Sequence, residues 1–424
     1  MISENQYARE GKHGEAGPLG WSLHPQSAVP VVHRQPLECA NQSRPTLRKI
    51  PPELRRRRGL HRNEATPLKR YIRRLQEDSQ FLRSVVQAAF AALCVWIGVE
   101  FYLFVRWGAS GGTEPFVQRP PGAEGFLPIS ALISLSHWLQ TGVVNEIHPS
   151  ALFILLAIIG VSWIARKAFC GWLCPIGTLS ESFWLLGKKI FGRNLNVPRW
   201  LDYPLRSLKY LLLFFFVWSI LQMDVRDLTT FIYSPYNKVA DVKMFMFFVA
   251  LSEFAFWTLA VLILLSIPIK NFWCRFLCPY GALLGIAGWL SPLKVTRTKS
   301  TCIDCELCTK ACPSNIKVHA IGASRKGSPV GRVWSDECTS CLACVEVCPV
   351  KETLDIRVSA TRRPVPSWAF GLLVVGLFAA ITGAAMLTGH WHNAISSEEY
   401  LYRFQRIDSY QHFQGQVPEY GPND

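Results

Sequence analysis

The run "CIDCELCTKACP" at residues 302–313 indicates how this part of the chain folds. Its spacing of cysteines and proline occurs a second time further along the chain. Residues 338–349 read "CTSCLACVEVCP", so both copies have the spacing C-x2-C-x2-C-x3-C-P. In this spacing three thiolates surround one iron–sulfur cube, and the fourth cysteine of each run binds the other cube. Zinc sites usually use two pairs of ligands instead, without three in close succession followed by proline. The sequence therefore predicts two [4Fe–4S] clusters.

Because the last cysteine of each run binds the cluster of the other run, the spacing predicts which four of the eight cysteines bind each cluster. Pro313 and Pro349 turn the chain away after each crossing ligand. Residues 296–360 are therefore predicted to form a small α+β domain like the bacterial two-cluster ferredoxins. We expect one cluster on Cys302, Cys305, Cys308 and Cys348, and a second on Cys338, Cys341, Cys344 and Cys312.

Two shorter cysteine motifs precede this domain, each directly after an apolar run. Residues 169–177 read "FCGWLCPIG" and residues 273–281 read "WCRFLCPYG". The hairpins at about 149–190 and 246–290 resemble an internal repeat, and a parallel repeat would bring the two motifs side by side. If the motifs are helical, the spacing of four places Cys170 above Cys174 and Cys274 above Cys278 on one face.

These four thiols have three alternative uses. They can bind a further cluster or metal ion, cycle between dithiol and disulfide, or be structural residues of a tight Gly–Pro turn. We expect the basic neighbours to lower the pKa of the thiols, which favours the first two uses. These neighbours are Arg166, Lys167, Lys270 and Arg275.

The composition indicates a membrane protein, since 50% of the 424 residues are hydrophobic and the chain contains 25 Phe and 15 Trp. Five apolar runs approach or exceed the roughly 20 residues that span a hydrocarbon core. A sixth run, 126–144, contains Pro128 and His137 and is predicted to be a re-entrant or interfacial helix. The fold class is thus mainly α, a polytopic protein with about five transmembrane helices, at about 84–105, 149–165, 207–223, 246–268 and 365–388.

Basic residues predict the orientation of these helices. Residues 1–83 carry 16 Lys/Arg, 166–210 carry 8 and 269–363 carry 14, whereas 106–148 carry 2 and 224–243 carry 3. High and low counts alternate along the chain, so we expect a bacterial inner-membrane protein with a cytoplasmic N-terminus and a periplasmic C-terminus. All cysteine motifs then lie on the cytoplasmic side, where thiols stay reduced.

The domain organisation follows from these patterns. The basic N-terminal segment includes Arg55–Arg58. Binding to anionic membrane lipid explains its positive charge better than binding to nucleic acid, which we exclude as a partner. We expect residues 1–80 to be a largely disordered cytoplasmic arm, 81–295 a four-helix membrane domain, 296–360 the ferredoxin-like domain, 361–390 a fifth membrane helix and 391–424 a periplasmic tail.

The motifs together resemble the NapH/NosR/CcoG-type membrane polyferredoxins of bacteria, with NapH-like members the nearest in outline. The resemblance covers about residues 85–360 and rests on both C-x3-C-P motifs and the eight ferredoxin cysteines. It implies electron transfer at the cytoplasmic membrane, from quinol towards a reductase in NapH-like members and to copper in CcoG-like ones. The loop 106–148 is too short for the flavin domain of NosR-like members.

We therefore expect an electron-transfer protein acting between the quinone pool, or a membrane partner, and a reductase or cytochrome. The alternatives are a copper reductase or maturation factor that uses the C-x3-C-P thiols, and a non-catalytic assembly scaffold. Acids within membrane helices are candidate functional residues by default. Glu253 and Glu100 are such candidates for proton release from quinol, with His148 as a further candidate.

Overall fold

The computed structural model describes residues 67–322, 330–358 and 363–410. Most of the arm predicted to be disordered at residues 1–80, including Arg55–Arg58, lies outside the described residues. Residues 67–77, within the arm expected at 1–80, form a helix.

The described part of the chain is mostly helical, with one small sheet. The helices are α1 (Pro67–Glu77), α2 (Ser79–Ala109), α3 (Pro128–Thr141), α4 (Pro149–Ala165), α5 (Ala168–Trp172), α6 (Pro175–Phe191), α7 (Arg199–Leu221), α8 (Val225–Ile232), α9 (Pro235–Lys238), α10 (Ala240–Val249), α11 (Glu253–Ser266), α12 (Phe272–Phe276), α13 (Pro279–Trp289), α14 (Leu307–Ala311), α15 (Ala343–Glu346), α16 (Ser367–Leu387) and α17 (Ser397–Phe404). The strands are β1 (Leu293–Thr298), β2 (Val330–Arg332) and β3 (Leu354–Val358).

All five predicted apolar runs are helical. Within the described residues, α2, α7 and α16 are each long and apolar enough to cross a membrane, and α10 with α11 makes a fourth candidate if the bent pair is one span. The helix α4 is apolar but has only 17 residues.

The prediction of one continuous helix over 246–268 was wrong. The chain bends by 76° between α10 and α11. The Ser252 side chain accepts a hydrogen bond from the backbone N–H of Ala255, so it caps the start of a new helix. A local capping signal thus interrupts an apolar run that is long enough to span.

The sheet belongs to the ferredoxin-like segment and packs on the membrane helices. It is antiparallel with the order β2-β1-β3, and Val295 of β1 pairs with Ile356 of β3. One continuous apolar core joins these strand residues to Trp172 and Phe370 of the membrane helices. The Trp172 indole N–H also donates to the Ser340 carbonyl at 3.0 Å. The second ferredoxin-type cysteine run is therefore held against the first C-x3-C-P hairpin.

The loops at the opposite end of the helices form a second core. Residues from 101–107, 220–242 and 395–407 bury one another there. Lys238 pairs with Glu399 at 2.7 Å, and the Ala394 N–H donates to the Glu146 carbonyl at 2.9 Å. The loops with few basic residues thus gather at one end, and the cysteine motifs gather at the other.

Candidate iron–sulfur and redox site

The two ferredoxin-type loops adopt the same irregular backbone. Asp304 and Ser340, at equivalent positions of the two runs, have φ values of 49° and 47°. Glu306 and Leu342, also equivalent, have φ values of 58° and 61°. Non-glycine residues rarely adopt these angles, and successive backbone turns of this kind form concave sites for anions. Two matching loops with four such residues indicate that the conformation serves a bound group.

The eight ferredoxin cysteines line two separate small cavities. One cavity also contacts Arg297 and His319, and the other also contacts Val295 and Val333. Each cavity receives three cysteines from one run and the last cysteine from the other run. The first set is Cys302, Cys305, Cys308 and Cys348, and the second is Cys312, Cys338, Cys341 and Cys344.

The spacing of the thiols suits clusters better than single ions. Within the described ranges, no three His, Cys, Asp or Glu side chains are close enough to hold one metal ion. A cube, in contrast, binds its ligands at separate corners and needs them further apart. The donor set and the curved loops thus fit [4Fe–4S] clusters.

The C-x3-C-P motifs have matching local structures in the two repeats. Cys170 lies on the short helix α5 and Cys274 on the short helix α12. Cys174 and Cys278 are the N-caps of α6 and α13, and each sulfur accepts a backbone N–H at 3.4 Å. The condition for one shared helical face is not met, because each short helix ends two residues before the second cysteine and proline starts the next helix.

The two motifs meet beside the second ferredoxin-type cavity. Cys170 and Cys274 line one small cavity, and Cys341 lines both this cavity and the neighbouring one. Burial raises the pKa of the Cys274 thiol, and the nearby thiols Cys278, Cys174 and Cys170 raise it further. The structure therefore places thiols of both repeats together, next to the loop of the second cysteine run.

Burial, more than basic neighbours, controls the pKa of these thiols. Burial raises the pKa of Cys170 well above its usual range and that of Cys174 to about 11. The expectation that basic neighbours lower the pKa of these thiols was therefore wrong. Lys167 opposes the shift at Cys170, whereas Arg166 binds the Ser335 carbonyl at 2.6 Å. The other two predicted neighbours are also engaged elsewhere, Lys270 at the Cys312 carbonyl and Arg275 at Asp202.

A buried charged group surrounds the junction of the two cavities. Glu337 precedes the second cysteine run, pairs with Lys167 at 3.7 Å and is bonded by Lys209. Arg83 binds Glu181 on the first repeat. Four of these five side chains are at least nine-tenths buried, and Glu181 is the exception. The sequence analysis missed this set, because its members come from distant segments and share no local pattern.

A much larger cavity lies on the membrane side of the first motif. Its volume is about 570 Å³, within the usual range for small-molecule sites. It runs along α2 from Phe90 to Glu100 and is bordered by Ile158 of α4. Phe169 and Pro175, which flank Cys170 and Cys174, close one end. The cavity is mostly apolar, and it connects the helices directly to the first thiol motif.

The predicted acidic candidates have different surroundings. Glu100 lines the large cavity and is half-buried. Glu253 is exposed in the first turn of α11, where an acid stabilises the helix dipole, and it does not line this cavity. His148 is buried at the far end, with Nδ1 at 3.2 Å from Glu124. Cys94 also lines the large cavity.

Comparisons with known families agree with the repeat and the ferredoxin segment. A family model described as a 4Fe-4S binding domain matches residues 147–194 and again residues 249–298. A model described as a 4Fe-4S dicluster domain matches residues 296–356. The two matches of the first model coincide with the two C-x3-C-P hairpins. No solved structure matches the chain.

Three relatives define the wider similarity. YccM of Escherichia coli, described as an electron transport protein, is 41% identical over 75% of this chain and 88% of its own length. The regulatory protein NosR of Pseudomonas aeruginosa is 28% identical over 52% of this chain and 29% of its own length. The ferredoxin-type protein NapH of Haemophilus influenzae is 28% identical over 48% of this chain and 68% of its own length.

Proposed function

We propose a function from one premise: the chain belongs to the NapH/NosR-type family of membrane polyferredoxins. It is an iron–sulfur electron-transport protein of the inner membrane. The finer proposal is that it oxidises a membrane quinol and delivers the electrons to a redox partner protein. The large apolar cavity that ends beside Cys170 and Cys174 is the observation that carries this proposal.

The ferredoxin-type cysteines are proposed as the ligands of two [4Fe–4S] clusters. Each bound cluster would accept and release one electron at a time. Positive φ angles shape both loops, and three of the eight cysteines, Cys308, Cys312 and Cys341, are buried. We assign Cys302, Cys305, Cys308 and Cys348 to one cluster, and Cys338, Cys341, Cys344 and Cys312 to the other.

The four C-x3-C-P thiols are proposed to hold a third iron–sulfur centre. The match of a 4Fe-4S model to both hairpins supports this assignment. A three-ligand copper site on these thiols is less well supported, since no three of them are close enough for one ion among the described residues. Cys170, Cys174, Cys274 and Cys278 would then link the cavity to the Cys341 loop.

Quinol is the substrate class that best fits the large cavity. Its volume of about 570 Å³ and its apolar walls suit a lipid-soluble ring. Oxidation of a quinol breaks two O–H bonds and releases two protons and two electrons. The electrons would reduce two one-electron centres on the cysteines. Glu100 is the carboxylate on the cavity wall that can accept one proton, and the other would pass to solvent.

The orientation proposed here follows from the distribution of Lys and Arg. The cysteine end would face the cytoplasm, because the segments 166–210 and 269–363 are rich in basic residues. Anionic lipid would bind the basic arm on the same side. The electron acceptor is proposed to be a membrane or periplasmic reductase or cytochrome.

The test uses the purified full-length protein, isolated without oxygen and reconstituted in liposomes. A reduced short-chain quinol is added, and bleaching of the iron–sulfur absorption is followed by stopped flow. Thr382 is buried on the cavity wall, so Thr382→Phe should fill the cavity and raise the apparent KM at least about tenfold. Thr258, exposed on α11 and bonded to its own helix in the same way, provides the matched control Thr258→Phe.

The result that would contradict the proposal is clear. Clusters that dithionite reduces but quinol does not reduce would exclude quinol oxidation. Iron analysis separately tests the third centre, with about twelve iron atoms per chain expected for three clusters and about eight for two. Copper reduction that needs Cys170 and Cys274 in a protein with only two clusters would favour the metal reductase.

A further inference from the structure

Lys167 lies where the two C-x3-C-P repeats meet. It is the N-cap residue of α5, the short helix that carries Cys170. Helix α13 of the second repeat approaches its backbone closely, since a Cβ added at Gly288 would stand 3.2 Å from the Lys167 backbone nitrogen. The Lys167 side chain is 4% exposed, and the residue lines the same small cavity as Cys170 and Cys274. Lys167 is therefore held at the junction of the two thiol motifs.

The ammonium group of Lys167 lies beside the second motif and the ferredoxin-like segment. A Cβ added at Gly281 would stand 3.5 Å from Nζ, and the Gly281 N–H donates to Cys278 Sγ at 3.4 Å. Nζ also lies 3.7 Å from a carboxylate oxygen of Glu337, the residue directly before the second cysteine run. One buried cation thus adjoins both repeats and the loop of a ferredoxin-type cluster.

Two of the three cations that line the small cavity have a close carboxylate partner. The three cations are Arg83, Lys167 and Arg275. Arg83 binds Glu181, and Arg275 binds Asp202 at 2.7 Å. A neighbouring carboxylate therefore compensates each of these two charges, and Lys167 is the third.

The carboxylate beside Lys167 is shared with a second lysine. Lys209 bonds Glu337 directly, whereas Lys167 is 3.7 Å away from it, which is longer than a hydrogen bond. Two buried ammonium groups thus face one carboxylate. A buried charge without a full counter-charge is costly, so this site is suited to a further negative group. Thiols that bind a metal centre lose their protons, and four thiolates on the adjoining motifs would supply that negative charge.

Lys167 keeps its proton in these surroundings. Burial acts to lower the pKa of Lys167, as it does for any lysine. The carboxylate of Glu337 and the thiols Cys170, Cys278 and Cys274 more than offset burial, so the pKa lies above its usual range. The side chain therefore carries a positive charge at neutral pH.

We propose that Lys167 raises the reduction potential of the third iron–sulfur centre, the one proposed on the four C-x3-C-P thiols. This inference rests on the proposed function, since it assumes that these thiols hold such a centre. Reduction by quinol would add one electron to the centre and would change no bond of Lys167. A fixed positive charge nearby stabilises the reduced form more than the oxidised form, because the reduced form is more negative. Burial strengthens this effect, since little water is present to screen the charge.

A redox titration followed by EPR tests this role on the full-length protein, purified without oxygen. Lys167→Gln removes the charge but keeps a polar side chain beside Glu337. At a fixed solution potential the ratio of reduced to oxidised third centre should fall at least about tenfold, which corresponds to about 59 mV for one electron. Lys167→Arg keeps the charge and should largely restore the wild-type ratio. The control is Lys188→Gln, since Lys188 is exposed in the last turn of α6 and, within the described chain, is not on the cavity lining.

Glu337 provides a test of the opposite sign. Glu337→Gln removes the negative charge beside Lys167, so the ratio of reduced to oxidised third centre should rise. A purely structural role of Lys167 predicts no such reversal between the two variants. If Lys167→Gln fails to bind iron, the titration of Glu337→Gln decides. An unchanged or lowered potential of the third centre in that variant would then overturn the proposal.

Iron analysis separates this inference from the proposed function. About twelve iron atoms per chain, together with an unchanged potential in Lys167→Gln, would overturn the role of Lys167 and leave the third centre in place. A potential that changes only at the ferredoxin-type clusters would also overturn it. About eight iron atoms per chain in the wild type would instead refute the third centre itself, and the inference with it.

Discussion

Alanine substitution of two equivalent glycines should have unequal effects on the thiol motifs. A Cβ at Gly177 would stand 2.3 Å from the Cys170 carbonyl oxygen, whereas a Cβ at Gly281 would stand 3.0 Å from the Cys274 carbonyl oxygen. Because 3.0 Å is the shortest separation that real Cβ atoms show, the first contact must open by about 0.7 Å. The atom that must move belongs to the backbone of the short helix that carries Cys170, so the thiol moves with it.

The expected loss of stability follows from the free-energy cost of overpacking a closely packed site. Gly177→Ala should lower the free energy of unfolding by about 1–3 kcal/mol, and Gly281→Ala by less than about 1 kcal/mol. The assay is the melting temperature in detergent, measured together with iron and acid-labile sulfide per chain. Gly98→Ala is the control, because a Cβ there meets nothing within 4 Å in the described structure. Equal losses in the two variants, or full stability and iron content in Gly177→Ala, would refute the reasoning.

Three further predictions concern the other buried groups. Cys312→Ala should remove the EPR signal of one ferredoxin-type cluster and Cys348→Ala that of the other, and each variant should keep the signal of the unaffected ferredoxin-type cluster. Glu337→Gln should lower the free energy of unfolding by about 3 kcal/mol because it leaves the charge of Lys209 buried, and adding Lys209→Met should restore part of the loss, as read from denaturation curves. Burial would raise the pKa of Glu124, but Arg119 and His148 hold it at about 2, below its ordinary 4.5. The stability from Glu124 is therefore present above pH 4.5 and is lost as the pH falls through 2, about 3 kcal/mol in all, which acid unfolding of wild type and Glu124→Gln can compare.

Local sequence patterns were sufficient to predict most of the apolar helices and the family of the chain. Four of the five apolar runs each form one helix, the run 246–268 forms a bent pair, and the family of the chain is the one that the cysteine spacing indicated. The break at Ser252 also had a local signal, a helix-capping serine followed by Glu253, but hydrophobic length outweighed it in the prediction. The expectation for Glu253 followed from the unbroken run, so it failed to anticipate a position in the first turn of a new helix.

The buried ionic groups could not be predicted in the same way. Arg119 and Asp241 are 122 positions apart, and neither lies in a motif. Their pairing depends on how the loop after α2 packs against α10, which no periodicity encodes. The prediction for the pKa of the thiols was wrong for a related reason. It assumed that basic residues nearby in sequence would lower the pKa more than burial raises it. In the structure Arg166 turns towards the carbonyls of the ferredoxin-like segment, and burial decides the result at Cys170.

The two repeats, alike in sequence, differ in what they can do. The first repeat contributes α4, whose 17 residues correspond to about 25 Å and which begins beside the Glu124–His148 pair. The same helix borders the large cavity through Ile154 and leads at its other end to Cys170. The second repeat has a bent pair of helices in this place, and within the described chain it contributes no residue to the cavity wall. A substrate bound in the cavity is therefore connected by one helix to the Cys170 motif. Cys274 meets Cys170 only at the small cavity that both residues line within the described chain. Quinol binding should consequently perturb spectroscopic probes attached near the first motif more than equivalent probes near the second.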